Sequence, residues 1–291
     1  MSNFKVIVAL ITPFHRDLTI DYEALLNIIN RLIYEGVDGL LVCGTTAEAP
    51  TLSDEEKFNI LEFVIKNVDK RIKIYFGCGD NNTEHTLKLC KRAQKYPIEA
   101  LLLVTPYYNI PNADGLYEHY NYIAKRTIAN IILYNVPRRT NVNLEYNTIA
   151  KLIENNKNIV AIKQASSDID ILIKLKREYP KFNVYTGEDA LLLKGIEAEL
   201  DGVISVIAHL YLPLMKDILM DYNLYDYDYI IKLINKAVFY TSSPIVIKYL
   251  LSNTNVCSNS LRLPLVPINQ IDANNVDKIL QEINYQLAIL K

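Results

Sequence analysis

A lysine at the end of a strongly apolar run is the residue in this chain best suited to covalent chemistry. Lys163 directly follows Ile159, Val160, Ala161 and Ile162, where a buried strand would emerge from a packed core. Most lysines are solvated surface charges. A neutral lysine amine attacks a carbonyl and forms an imine, and desolvation or a nearby cation favours the neutral form. The position predicts imine-forming chemistry, although an exposed lysine after a buried strand has the same local sequence.

Hydroxyl groups stand at two other predicted strand ends. Tyr134 lies in the apolar run that begins at Ile131, and Thr45 follows the run that begins at Gly39. Imine formation moves protons on and off the carbonyl oxygen, and neutral hydroxyls transfer protons without adding a competing charge. Tyr134 and Thr45 are therefore candidates for a proton relay. Each has a plain alternative, since Tyr134 also suits a core aromatic and Thr45 an ordinary turn.

Two kinds of carboxylate-binding group stand beside these residues. Arg138 and Arg139 follow Tyr134, and a guanidinium group binds a carboxylate through two parallel hydrogen bonds. Arg139 thus indicates a second carboxylated ligand, although two arginines also suit a solvated loop. Thr45 and Thr46 can bind a carboxylate through hydroxyl and backbone N–H groups. The four histidines show no metal-ligand spacing and the acidic residues no paired arrangement, so a metal-free site is predicted.

The elements that position these residues are eight short apolar runs that alternate with segments of helical periodicity. Such near-continuous apolar character is required of strands buried on both faces of a parallel sheet. The runs are VIVALI from Val6, GLLVCG from Gly39, IKIYFG from Ile72, ALLLVTP from Ala100, IILYNVP from Ile131, IVAIK from Ile159, NVYTG from Asn183 and GVISV from Gly202. Eight strand-then-helix repeats predict a (β/α)8 barrel, whose active site forms where the strands end.

Helix signals complete the predicted organisation. Asp21 is placed to cap the first helix, and Ser53 with Glu56 forms a capping box at the next. From about residue 208 the pattern is helical only, with segments at 210–222, 225–240, 244–252 and 273–290. We therefore predict a barrel over residues 1–207 and C-terminal helices packed on it over residues 208–291.

The composition excludes several classes of protein. The 291 residues are 50% hydrophobic and 22% charged, which provides a large core without a sign of disorder. With 31 basic and 33 acidic residues the formal charge is -2, so neither a nucleic acid nor a membrane surface is an expected partner. The apolar N-terminal run is short and has no small-residue cleavage site, so a cytoplasmic protein is expected. The four cysteines lack C-x-x-C spacing and are predicted to be reduced and mostly buried.

Taken together, the ordered motifs resemble those of the dihydrodipicolinate synthase and N-acetylneuraminate lyase family of class I aldolases. The similarity extends nearly end to end. The matching segments are ITPF near Thr12, GTTAEAPTLSDEE from Gly44, GCGDNNT from Gly77, TPYYNIP from Thr105, GLYEHY from Gly115, ILYNVPRRT from Ile132, IVAIKQAS from Ile159, TGEDALLL from Thr186, DGVISV from Asp201 and LRLPLVP from Leu261.

The resemblance implies condensation of pyruvate with L-aspartate 4-semialdehyde to give 4-hydroxy-tetrahydrodipicolinate, the entry to diaminopimelate and lysine. It implies that Lys163 forms the imine with pyruvate and that Tyr134 is the proton donor and acceptor. Thr45 and Tyr108 would complete the relay, with Tyr108 reaching in from a neighbouring subunit. A homotetramer built from two tight dimers, and no cofactor, are implied as well.

For substrate binding, the resemblance implies that Thr46 and the Ile204 backbone hold pyruvate, with Gly187 nearby. Arg139 would bind the semialdehyde carboxylate, and it favours the synthase because sugar-acid aldolases usually lack an arginine there. Two other readings stay open. One is a pyruvate-type lyase acting on a sugar-derived or hydroxylated 2-keto acid, and the other is an inactive barrel that only binds ligands.

The chain departs from the family pattern without losing a proposed catalytic atom. Arg138 replaces a usual small residue, Asn141 a usual glycine and Gln164 a common glutamate; asparagine adopts a positive φ more easily than most residues. At the positions implied for lysine feedback, Lys57 and His85 stand where sensitive members tend to have His and Glu. A cationic Lys57 would repel the effector's ammonium group, so weak or absent inhibition is expected.

Overall fold

The computed structural model describes residues 4–221 and 227–289 and has eight parallel strands in a closed barrel, in the order β1 to β8. The strands are β1 Lys5–Ala9, β2 Gly39–Val42, β3 Lys73–Gly77, β4 Ala100–Val104, β5 Ile131–Asn135, β6 Ile159–Gln164, β7 Asn183–Thr186 and β8 Gly202–Ser205. Each overlaps one of the eight predicted runs. The predicted (β/α)8 barrel is confirmed.

Helices follow the strands and continue after the last of them. They are α1 Tyr22–Tyr34, α2 Asp54–Val68, α3 Thr83–Ala93, α4 Ala113–Ala124, α5 Pro137–Thr140, α6 Tyr146–Asn155, α7 Asp170–Glu178, α8 Leu192–Glu197, α9 Ala208–Asp221, α10 Tyr227–Val238, α11 Ile245–Asn253 and α12 Gln270–Ile289. The two predicted caps are confirmed. Asp21 Oδ1 accepts from Ala24 N at 2.9 Å, and Ser53 and Glu56 form the reciprocal capping box at α2.

The four predicted C-terminal helices correspond to α9, α10, α11 and α12, of which α9 is kinked at Tyr211. Parts of the predicted segments and domain limits fall on residues 1–3, 222–226, 290 and 291, which lie outside the described residues. The domain division at residues 207 and 208 stays a prediction. The described residues group into two compact units, one of 6–72 with 205–221 and 227–289, the other of 4–5 with 73–204.

Two further expectations concern the cysteines and membranes. All four cysteines are free, and Cys43, Cys78 and Cys90 are buried, as predicted. Among the helices of residues 4–221 and 227–289, none combines the length and apolar character that crossing a membrane requires.

The first unit contains a fully buried ion pair. The side chains of Glu48 and Lys248 are both 0% exposed, and Lys248 Nζ donates to a Glu48 carboxylate oxygen. Lys248 Nζ also donates to the Ser260 carbonyl at 3.0 Å, and the backbone N–H of Arg262 donates to Glu48 Oε2 at 2.9 Å. Burial lowers the pKa of Lys248, and the Glu48 carboxylate opposes that shift. Each charge is therefore tolerated in the core only with its partner.

Removing one partner of this pair should destabilise the protein strongly. Lys248→Met keeps the aliphatic length and leaves Glu48 buried without its cation, which should lower the free energy of unfolding by about 3–5 kcal/mol. The Lys232→Met variant breaks an exposed pair with Asp228 on α10 and should cost at most about 0.5 kcal/mol. Urea unfolding followed by circular dichroism measures both, and equal small losses would contradict the prediction.

Candidate active site

Lys163 is buried at the carboxyl end of β6. The residue is only 6% exposed. The alternative that the local sequence also allowed, a solvated surface lysine, is therefore excluded. In the parallel pairing of the sheet, Lys163 lies beside Tyr134 on β5 and Tyr185 on β7. Residues paired in this way project from the same face of the sheet. The strand register therefore places one amine between two aromatic side chains.

The amine of Lys163 contacts the Tyr134 ring. Lys163 Nζ lies 4.5 Å from the ring centroid, within the range of a cation–π interaction, and Tyr134 is also 6% exposed. These two residues, predicted from separate strands as nucleophile and proton carrier, are brought together by the β5–β6 pairing. The arrangement provides a desolvated amine beside a phenol, which is what imine formation on a carbonyl compound requires.

Gly187 permits the close approach of β7 to this lysine. A β-carbon built on Gly187 would lie 2.8 Å from Lys163 Cε and 3.0 Å from Ala165 Cβ, closer than real side-chain atoms pack. The Gly187 N–H donates to the Gln164 carbonyl at 2.7 Å, which holds the loop after β7 against the end of β6. Gly187, predicted as a site residue near the substrate, contacts the aliphatic part of Lys163.

Buried amides hold the ends of β5 and β6 together. Asn135 Nδ2 donates to Gln164 Oε1 at 3.0 Å and to Asn143 Oδ1 at 2.8 Å, and Gln164 Nε2 donates to Ser166 Oγ at 2.8 Å. The Asn135 Oδ1 atom accepts from Leu144 N at 3.1 Å. At position 164 an amide both donates and accepts, which an ionised carboxylate cannot do. The departure from the family's common glutamate is thus absorbed by a satisfied polar network.

The predicted arginines lie on α5, a short helix directly after β5. Thr140 closes this helix by donating to the Val136 carbonyl at 3.2 Å and the Val142 carbonyl at 3.0 Å. Asn141 follows with φ 54° and ψ 25°, the left-handed conformation for which glycine is usual at this position. Arg138 and Arg139 are both exposed.

Glu188 follows the seventh predicted strand, and the sequence assigned it no role. Its side chain is only 15% exposed, and Glu188 Oε1 lies 3.1 Å from Arg138 Nη2. The pKa of the Glu188 carboxyl is raised, chiefly by burial. The positive charges of Arg138, Lys163 and Arg139 oppose this shift, and Arg138 does so most strongly. The carboxylate therefore belongs to the electrostatic surroundings of Lys163. Its place next to Gly187 in the chain was the signal that could have found it.

Tyr108 is on the surface of the chain. It is 89% exposed and has φ 72°, an uncommon conformation for a bulky residue. The loop is held by two hydrogen bonds, from Asn81 Nδ2 to the Tyr107 carbonyl at 3.2 Å and from Asn109 Nδ2 to the Asn81 carbonyl at 3.0 Å. An exposed tyrosine on a fixed loop is free to contact another molecule. Its predicted role in a relay across subunits stays a prediction.

The other predicted residues lie on elements of the barrel. Thr45 and Thr46 form a 3-10 turn with Ala47 directly after β2, with Thr45 half-buried and Thr46 buried. Ile204 lies on β8 and is 1% exposed. The role of Thr45 in the relay stays a prediction, and so does pyruvate binding by Thr46 and the Ile204 backbone. In the described part of the chain, no three His, Cys, Asp or Glu side chains are grouped to hold a metal ion. A reaction without cofactor likewise stays a prediction.

The protein is a barrel with a buried lysine at the end of its sixth strand, and a tyrosine ring contacts the lysine amine. These features place it in the class of Schiff-base-forming lyases. The model of the Dihydrodipicolinate synthetase family matches residues 3–283, and the chain belongs to this family. It is 38% identical to the 4-hydroxy-tetrahydrodipicolinate synthase of Pelodictyon phaeoclathratiforme, over 95% of this chain and 96% of that one.

Solved structures of the same family superpose closely. Dihydrodipicolinate synthase from Aquifex aeolicus has a TM-score of 0.91 and 34% identity, over 97% of this chain and 99% of that one. The chloride-inhibited dihydrodipicolinate synthase from Acinetobacter baumannii, complexed with pyruvate, has a TM-score of 0.89 and 33% identity over the same shares. The predicted family is therefore confirmed.

A side chain at position 187 should impair the lysine. Gly187→Ala forces the Lys163 side chain to move, and because misplacing a reacting group by about 1 Å costs on the order of a hundredfold in rate, we expect the rate of imine formation with pyruvate to fall at least about tenfold. Gly195→Ala, in α8, is the control. Its new β-carbon would have one tight contact, with the Phe4 ring at 3.3 Å, and this variant should form the imine at the normal rate. Borohydride trapping at timed intervals measures both; equal rates would contradict the prediction.

Proposed function

We propose that this chain is a 4-hydroxy-tetrahydrodipicolinate synthase that condenses pyruvate with L-aspartate 4-semialdehyde. The observation that carries the proposal is the buried Lys163 amine, 4.5 Å from the centre of the Tyr134 ring. Family membership supports it, since synthases of this name match nearly the whole chain. An exposed lysine would have favoured a barrel that only binds ligands.

In the first stage of the proposed reaction, the Lys163 amine attacks the keto carbon of pyruvate and forms a carbinolamine. Tyr134 protonates the departing oxygen, water leaves, and a protonated imine remains. The imine nitrogen withdraws electrons from the adjacent methyl group, so loss of a methyl proton gives an enamine. A phenol suits this shuttle because its neutral form can donate a proton and its hydroxyl oxygen can accept one.

In the second stage, the enamine carbon attacks the aldehyde carbon of the semialdehyde and forms the new carbon–carbon bond. The enamine becomes a protonated imine again, and the aldehyde oxygen takes up a proton and becomes the hydroxyl group of the product. The semialdehyde's own amino group then attacks the imine carbon, which closes the ring and releases Lys163 as a free amine. Arg139 is proposed to hold the semialdehyde carboxylate, because guanidinium recognises a planar carboxylate through paired hydrogen bonds. Thr46, Gly187 and the Ile204 backbone are proposed to bind pyruvate.

The assembly and the remaining relay residues are proposed from the family resemblance. Thr45 and Tyr108 are assigned to the proton relay, with Tyr108 supplied by a neighbouring subunit of a homotetramer. Its 89% exposure supports this assignment, since a tyrosine that acts in another subunit must project from the surface of its own chain. A cytoplasmic location and the absence of any cofactor belong to the same proposal. Weak or absent feedback by lysine, expected from Lys57 and His85, also stays a prediction.

The imine itself is the direct test of the proposal. Borohydride added with pyruvate should reduce the imine and leave a stable 1-carboxyethyl group on the Lys163 amine, because hydride adds to the imine carbon. Mass spectrometry of the digested protein locates the adduct. Lys163→Arg keeps the positive charge but cannot form an imine and is the matched control. An unlabelled Lys163 in the unmodified protein would point to an inactive barrel.

The second substrate is tested by comparing acceptors. The protein should consume L-aspartate 4-semialdehyde when pyruvate is present and should leave 2-keto-3-deoxy sugar acids uncleaved. The opposite pattern, with an intact imine, would identify a sugar-acid lyase of the same chemistry. The two experiments therefore separate failure of the Schiff base from failure of the substrate assignment.

Replacing Arg139 should affect only the second substrate. Arg139→Ala removes a charged hydrogen-bond partner worth about 1.5–3 kcal/mol, so kcat/KM for the semialdehyde should fall about 10- to 100-fold. Imine formation with pyruvate should stay within about twofold of the unmodified protein. Arg177→Ala, on the surface of α7, is the control and should change neither rate. A loss confined to the pyruvate step would contradict the assignment.

A further inference from the structure

An ion pair joins the segments after β5 and β7 next to the reactive lysine. Arg138, on α5, places its Nη2 atom 3.1 Å from Glu188 Oε1. Glu188 directly follows Gly187, whose α-carbon packs against the Lys163 side chain. The Arg138 side chain is 52% exposed and the Glu188 side chain 15%, so the carboxylate is the less solvated partner. The Glu188 carboxylate is therefore adjacent in the chain to the residue that packs against Lys163.

The charged groups around this carboxylate are few and come from three elements. Arg138 and Arg139 approach from α5, Lys163 from β6, and Asp189 follows Glu188 in the chain. The aromatic neighbours of Lys163 in the strand register are Tyr134 and Tyr185, and burial raises the pKa of Tyr185 to about 12. Tyr185 is therefore uncharged near neutral pH. The charged groups that act on the Glu188 carboxylate are thus Arg138, Asp189, Lys163 and Arg139.

A lone carboxylate at this place would oppose the proposed reaction in two ways. It would stabilise the protonated ammonium form of Lys163, which is not a nucleophile. It would also repel the carboxylate of an incoming keto acid. Both effects are reduced when a guanidinium, which stays charged at all accessible pH values, is paired with the carboxylate.

We propose that Arg138 is a positioning residue for imine formation, and that it acts by pairing with Glu188 so that the carboxylate's charge is cancelled beside Lys163. The inference rests on the proposed function, because it concerns the step in which Lys163 reacts with pyruvate. It assigns different tasks to adjacent arginines. Arg138 acts on the Lys163 amine through Glu188, whereas Arg139 binds the second substrate directly.

The test is a double-mutant cycle of Arg138→Ala, Glu188→Gln and the two together, read as the rate of borohydride-trapped imine against pH. Arg138→Ala should react about tenfold more slowly at pH 7, and its pH midpoint should move up by about one unit, because an unpaired carboxylate favours the ammonium. Glu188→Gln should move the midpoint down. The double variant, which has neither charge, should return to within about threefold of the unmodified protein.

Three outcomes would overturn the inference. If the double variant is as slow as Arg138→Ala, then Arg138 contacts the keto acid itself or supports the fold. If all four proteins have the same pH profile, Glu188 does not act on the amine. Imine absent from the unmodified protein would overturn the proposed function and this inference with it. Thermal melting of each variant distinguishes loss of folding from loss of reactivity. If Arg138→Ala fails to fold, the cycle is repeated with Arg138→Gln.

Discussion

The structure depends on one contact, the Lys163 amine held against the Tyr134 ring at the end of two paired strands. Lys163 is 6% exposed and its Nζ atom lies 4.5 Å from the centre of the ring, so the amine is enclosed by protein and faces an aromatic surface. A protonated imine on this nitrogen would carry a positive charge, and an aromatic face stabilises such a charge. Everything else at these strand ends either fixes the two side chains or adjusts the charge around them.

The fixing is done by groups that carry no net charge. Asn135 and Gln164 link the ends of β5 and β6 through buried amide hydrogen bonds, and the Gly187 N–H ties the next loop to the same strand. Neutral hydrogen bonds position the strands without adding a net charge near the amine. Gly187 also leaves room for the lysine side chain, which any larger residue would displace. Precision at the amine thus comes from backbone and amide contacts.

Charge is handled in two ways. Glu48 and Lys248 are sealed from solvent, where each charge stabilises the other. Glu188 and Arg138 are partly open, so their pairing can respond to a ligand or to pH. The first arrangement belongs to the stability of the fold and the second to the chemistry of the site. Solvent access distinguishes them, since water screens an open pair and not a sealed one.

The sequence by itself determined the barrel, its eight strands, and the places of Lys163 and Tyr134 near the ends of strands, because strands buried on both faces leave an unbroken apolar run. The structure puts Arg139 on the short helix α5 that follows the fifth strand. The sequence also contained the family's ordered motifs. Only the tertiary structure decided which side chains meet. Lys248 pairs with Glu48 from 200 residues away, and Glu188 pairs with Arg138 across two loops. Lys248 stands alone among apolar residues in the helix IVIKYLL, which is the only local sign of the first pair. Its partner depends on contacts between distant segments, and no local pattern encodes those contacts.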